Sequence, residues 1–105
     1  MRIVVLAGGL SMERNVSLSS GNKICRALRS RSHQAILVDM FLGFEDYEGK
    51  LDDVFDAPDG FCGSVSISET APDLEAVRAQ RKLRSPSLFG EHVLEVCARA
   101  DIVFL

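Results

Sequence analysis

A chain of 105 residues, 47% hydrophobic and 26% charged, fits one soluble globular domain that can bury roughly 65% of the surface its unfolded form exposes. A net charge of −3 excludes any bulk electrostatic pull toward nucleic acid or anionic lipid. Cys25, Cys62 and Cys97 are too scattered in sequence for a disulfide framework or a zinc site, and with no C-x-x-C they read as reduced thiols of a cytoplasmic protein.

Residues 2–7 (RIVVLA) form a near-continuous aliphatic run, the pattern of a parallel strand covered on both faces. The run is too short, and lacks the small-residue cleavage pattern, to be a signal peptide. No apolar stretch approaches the roughly eighteen residues that would span a bilayer. Gly8 and Gly9 end the strand. Asn15 is placed to cap a helix that begins near Val16 and continues to about Arg31. Leu18, Gly21, Ile24, Cys25 and Leu28 share one stripe of that helix, and Asn22, Lys23, Arg26 and Arg29 lie off it. A glycine at position 21 implies close packing on the sheet. A second apolar strand is predicted over 34–41, which completes a βαβ unit.

The middle of the chain is less regular. One helical turn is predicted over 50–55, and alternating Val65 and Ile67 mark a short strand over 64–68. A helix starts near Asp73 and runs toward Arg84, with Leu74, Val77, Gln80 and Leu83 inward, until Ser85-Pro86 breaks it. Arg78, Arg81, Lys82 and Arg84 read as its solvated face. A further amphipathic helix covers 91–99 through Val93, Leu94, Val96 and Cys97, and residues 101–105 (DIVFL) read as a buried strand. An apolar strand at the very end of a chain is unusual, so the expectation is a domain incomplete at its C-terminal end. His33 and His92 are expected to be solvated, with no metal role.

The stretch after the first strand carries the chemistry. A dinucleotide fingerprint would need G-x-G-x-x-G, but after Gly8-Gly9 no glycine recurs until Gly21. Asp39 ends the second strand like a ribose-binding acid, yet it lies about thirty residues past the glycines rather than about twenty. A P-loop is excluded as well, because no Gly-Lys-Ser/Thr follows. What is present is GG-x-S-x-E-x-x-V-S-L-x-S-G, filled at Gly8, Gly9, Ser11, Glu13, Val16, Ser17, Leu18, Ser20 and Gly21. Two glycines allow the backbone to approach a ligand closely. A carboxylate at the start of a helix offers a charge-assisted acceptor for an ammonium group. The bland alternatives are a tight strand exit for the glycines and a helix-dipole partner for Glu13. Arg14 reads as a surface or salt-bridging residue and is assigned no chemistry.

This run resembles the opening motif of D-alanine–D-alanine ligases, and residues 88–105 resemble the segment leading into that family's next strand. The resemblance implies an α/β fold with a Rossmann-like, open, mainly parallel sheet and helices on both faces. Residues 1–105 then form the N-terminal substrate-binding domain, incomplete at its end. It implies an ATP-grasp carboxylate–amine ligase, in which ATP phosphorylates one D-alanine and the amine of a second attacks the acyl phosphate, giving the dipeptide for peptidoglycan. Glu13 is then the catalytic, substrate-binding residue that holds the first ammonium. Val16 lines the same subsite through its backbone and Ser17 supports it by hydrogen bonding, while Gly8 and Gly9 form the loop. ATP and Mg (or Mn) are expected to bind in regions outside this chain, and the full-length protein is expected to be a cytoplasmic homodimer. The rival expectations are a non-catalytic α/β binding module, or a ligase that takes D-lactate or D-serine as second substrate.

Overall fold

The computed structural model describes residues 1–10, 12–44, 47, 49–58, 60–62, 73–81 and 89–104. The strand predicted over 64–68, and Ser11, Lys82, Leu83, Arg84 and Leu105, lie outside them.

Among the described residues three strands form one parallel sheet: β1 (Arg2–Ala7), β2 (Gln34–Asp39) and β3 (Ile102–Phe104), in the order β2-β1-β3. Arg2 lies opposite Gln34 and Ala7 opposite Asp39, so β1 and β2 end level, and Ile3 to Val5 pair with β3. An all-parallel sheet with helices packed on it is an open α/β arrangement.

β1 sits at the centre, and its alternating side chains feed two separate cores. Val4 and Leu6 join Ile36, Val38, Phe44, Val54, Phe55, Val93 and Val96 on one face. Ile3, Val5 and Ala7 join Ala35, Leu37, Cys25 and Cys62 on the other. This explains the unbroken aliphatic run: both faces of the strand are covered. Each large side chain so buried contributes about 1.5–3 kcal/mol.

Helix α1 (Arg14–Ser30) covers the second core with Leu18, Ile24, Cys25 and Leu28. Gly21 fits as predicted: a Cβ there would lie 2.8 Å from the Ala7 Cβ and 3.0 Å from the Leu37 Cδ1. The helix starts two residues earlier than the sequence implied, with Glu13 rather than Asn15 at the N-cap position. The backbone N–H of Ser17 already donates to the Glu13 carbonyl at 2.9 Å, which leaves Asn15 inside the first turn. β2 likewise stops at Asp39, two residues short of the predicted limit, because the Asp39 side chain turns the chain there.

The other face is closed by a 3₁₀ helix (Leu51–Asp56), which buries Val54 and Phe55, and by α3 (Val93–Ala98), which buries Val93 and Val96. Leu94, expected inward, is 61% exposed, since Val93 and Val96, with half-buried Cys97, form the inward stripe of this short helix. α2 (Leu74–Gln80) buries none of its residues; Asp73 caps it by accepting from the Ala76 N–H at 3.1 Å. Arg81 corrects the expectation of a solvated basic face. It is buried, donates to the Phe41 carbonyl, and stacks its guanidinium 4.0 Å from the centre of the Phe41 ring. β3 is also not the buried strand expected: Ile102, Val103 and Phe104 are all exposed at the sheet edge.

Candidate functional site

The site is built where β1 and β2 end side by side. The chain leaves β1 through Gly8 (φ +80°) and Gly9 (φ +88°), a left-handed pair that only glycine adopts without strain. A Cβ on Gly8 would lie 3.1 Å from Asp39 Oδ1 and 3.2 Å from Arg14 Nη1, and one on Gly9 would lie 2.9 Å from the Met40 methyl. Their backbone angles favour glycine at both positions, and at Gly8 the close approach of Asp39 and Arg14 adds to it.

That packing is an ion pair. Arg14, the first residue of α1, is buried, and its guanidinium makes a two-pronged contact with the Asp39 carboxylate: Nη1 meets Oδ1 at 3.2 Å and Nη2 meets Oδ2. Nη1 also donates to the Gly9 carbonyl at 2.7 Å. Asp39 Oδ1 accepts in addition from the Phe41 and Leu42 amides at 3.0 and 3.1 Å. The forked, delocalised guanidinium suits such bidentate binding, and burial strengthens each bond. One cation–carboxylate pair thus ties together the glycine turn, the start of α1 and the turn after β2.

Ser17 adds a second tie from the next turn of α1, since its Oγ accepts from the Gly8 N–H at 3.0 Å. Glu13 stands at the N-cap position, exposed to solvent, and makes no side-chain capping bond to the helix. Val16 is 56% exposed. The structure therefore brings Ser17 against Gly8 and leaves Glu13 and Val16 exposed to solvent.

A hollow of about 570 Å³ lies nearby, walled by Leu18, Val38, Asp39, Leu42, Phe44 and Tyr47 among others; Glu13, Val16 and Ser17 are not among its walls. Asp39 faces both the hollow and the glycine turn. It is the residue sequence reasoning set aside when the dinucleotide fingerprint failed, and Arg14 is the one assigned no chemistry. The available signal was a lone carboxylate ending β2 and a cation beside Glu13, 25 residues apart, with nothing local to pair them.

Elsewhere, Cys25 and Cys62, far apart in sequence, bring their sulfurs to 2.6 Å in the α1-side core, and both are buried free thiols. His92 precedes α3 rather than lying in its first turn and meets the carboxylates of Glu95 at 3.1 Å and Glu91 at 3.6 Å. Among the described residues no group of three or more His, Cys, Asp or Glu side chains could hold a metal ion, and no helix is long and apolar enough to cross a membrane.

Comparison with known proteins adds to this geometry. The chain is 47% identical over 106 aligned positions to the D-alanine–D-alanine ligase of Lacticaseibacillus casei (strain BL23), covering all of this chain and 29% of that protein. It is 44% identical to the D-alanine–D-alanine ligase of Pediococcus pentosaceus, again over its full length and 30% of the relative. The ligase of Zymomonas mobilis is 38% identical over 78 residues, or 72% of this chain and 24% of that protein. No family model and no solved structure matches the chain. The class these relatives define is that of ligases. Over its whole length the chain is similar to proteins named D-alanine–D-alanine ligase, and it spans about 30% of the length of these relatives.

Proposed function

We propose that this chain is the first-substrate portion of an ATP-dependent carboxylate–amine ligase that joins two D-alanines for peptidoglycan. The observation that carries the proposal is similarity along the whole chain to proteins named D-alanine–D-alanine ligase, at 44–47% identity. The geometry supports it. Glu13 stands at an exposed helix start, where a carboxylate can accept from the ammonium of a small amino acid. Val16 lies one turn on at the same surface, and Ser17 holds the glycine turn through Gly8.

The role of this chain is to bind and orient. Fixing one reactant by its ammonium leaves its carboxylate facing outward toward the phosphoryl donor, and positioning of this kind lowers the barrier. ATP and magnesium (or manganese) supply phosphoryl transfer in this reading and are assigned to no residue of this chain. A cytoplasmic, homodimeric whole protein belongs to the same proposal.

The test is D-alanine-dependent ADP release by the full-length protein. Glu13→Gln is expected to raise the KM of the first D-alanine by about tenfold or more, because a neutral amide replaces a charge-assisted acceptor. Unchanged kinetics would remove Glu13 from the site, and absence of D-alanine-dependent turnover in the unsubstituted protein would remove the ligase reading.

A further inference from the structure

The pair formed by buried Arg14 and part-buried Asp39 is more elaborate than a loop needs for closure. A single guanidinium reaches the Gly9 carbonyl and both Asp39 oxygens, and one of those oxygens also receives the Phe41 and Leu42 amides. The Gly8 Cα sits against the same two side chains, and a Cβ there would lie 3.1 Å from Asp39 Oδ1 and 3.2 Å from Arg14 Nη1. Arg14 is at once the residue after Glu13 and the first residue of α1, so its side chain anchors the backbone from which Glu13 projects.

Resting on the function proposed above, we infer that Arg14, held by Asp39, is the positioning residue of the first-substrate loop. It touches no substrate. It sets where the Glu13 carboxylate stands relative to the Gly8-Gly9 turn, and it couples that position to the end of β2 and to the turn after it. Lysine cannot replace it: an ammonium is a point donor on a flexible stem and cannot bridge both carboxylate oxygens and the Gly9 carbonyl in one plane. The effect of loosening the anchor is a displaced carboxylate, and displacement of this order in a positioned group is expensive in rate or affinity.

The experiment measures initial rates of the full-length protein with the KM of first D-alanine, second D-alanine and ATP resolved, for Arg14→Lys, Asp39→Asn, their double variant and Glu13→Gln. The expected result is a rise of about tenfold in the KM of the first D-alanine for Arg14→Lys, with the KM of ATP and of the second D-alanine within about twofold of the parent. Asp39→Asn, nearly isosteric, is expected to shift the same constant, and the double variant to be no worse than the more impaired single one, as for two residues acting as a unit. Should Arg14→Lys fail to fold, Asp39→Asn supplies the same reading. A purely structural role predicts a lower thermal midpoint with all three KM values moved together or none moved, and either pattern overturns the inference. If Glu13→Gln raises the first KM while Arg14→Lys and Asp39→Asn do not, the positioning role alone fails. If Glu13→Gln also leaves it unchanged, the first-substrate reading fails and takes this inference with it.

Discussion

Cys25 is fully buried, and its thiol is pushed up to about 12, first by burial and then by the hydrogen bond with the Cys62 sulfur, from an ordinary 9.0. The direction fixes a stability consequence. Below pH 9 both folded and unfolded forms keep the proton and the group contributes nothing to the pH dependence. Between the two values only the unfolded chain loses its proton, so stability falls as pH rises, by about 1.4 kcal/mol per pH unit from this one site. Thermal midpoints taken from about pH 8 to about pH 10.5 are expected to fall more steeply in the parent than in Cys25→Ala. Equal slopes would show that the thiol ionises freely in the folded state. Cys25 read as core from its helical stripe, and it is core. Its partner Cys62, 37 residues away, carried no such signal. The same holds for Arg14 and Arg81: a cation looks solvated in sequence because what buries it, Asp39 in one case and the Phe41 ring in the other, is distant along the chain.

At the scale of elements, α1 ends in a backbone arrangement that its sequence serves poorly. The His33 N–H donates to the Leu28 carbonyl and the Ser32 N–H to the Arg29 carbonyl, with Ser32 in the left-handed region at φ +69°. This is a Schellman closure, in which the left-handed position is ordinarily glycine. Ser32→Gly is expected to stabilise the protein by roughly 0.5–1 kcal/mol, since the strain at Ser32 outweighs the added freedom of the unfolded chain. Denaturant titration checks it, and an unchanged or lower midpoint would contradict it. β1, β2 and α1 were legible because each has a local pattern: unbroken aliphatic runs for strands buried on both faces, and a stripe with Gly21 at the contact for the helix. β3 and Leu94 were misjudged for the converse reason. Apolarity records what a segment is suited to meet, while exposure depends on which neighbours cover it. The Glu13 helix start was legible to within two residues; the ion pair that sets it was not.

For the whole molecule, β3 lies at one edge of the described sheet and exposes Ile102, Val103 and Phe104 to 47, 39 and 45%. A row of backbone groups bordered by apolar side chains invites pairing with another copy. Light scattering of the 105-residue chain is expected to show concentration-dependent association, weakened by Phe104→Lys, which sets a charge on the edge. A monomer across a wide concentration range would count against this. The open parallel architecture itself followed from the alternation of strand, helix and strand, but which distant residues fill the two cores on either side of β1 emerged only with the packing.

The crossing of residues 41–44 with 89–91 shapes what the intervening chain is free to do. Gly90 donates to the Met40 carbonyl at 2.8 Å and Phe44 to the Glu91 carbonyl at 3.0 Å, and Cβ atoms on Gly43 or Gly90 would strike the opposite backbone at 2.7 and 2.5 Å. The excursion from 45 to 88 is pinched shut at a neck of bare peptide, so its ends meet whatever its length. Any side chain larger than hydrogen at this neck should therefore be refused.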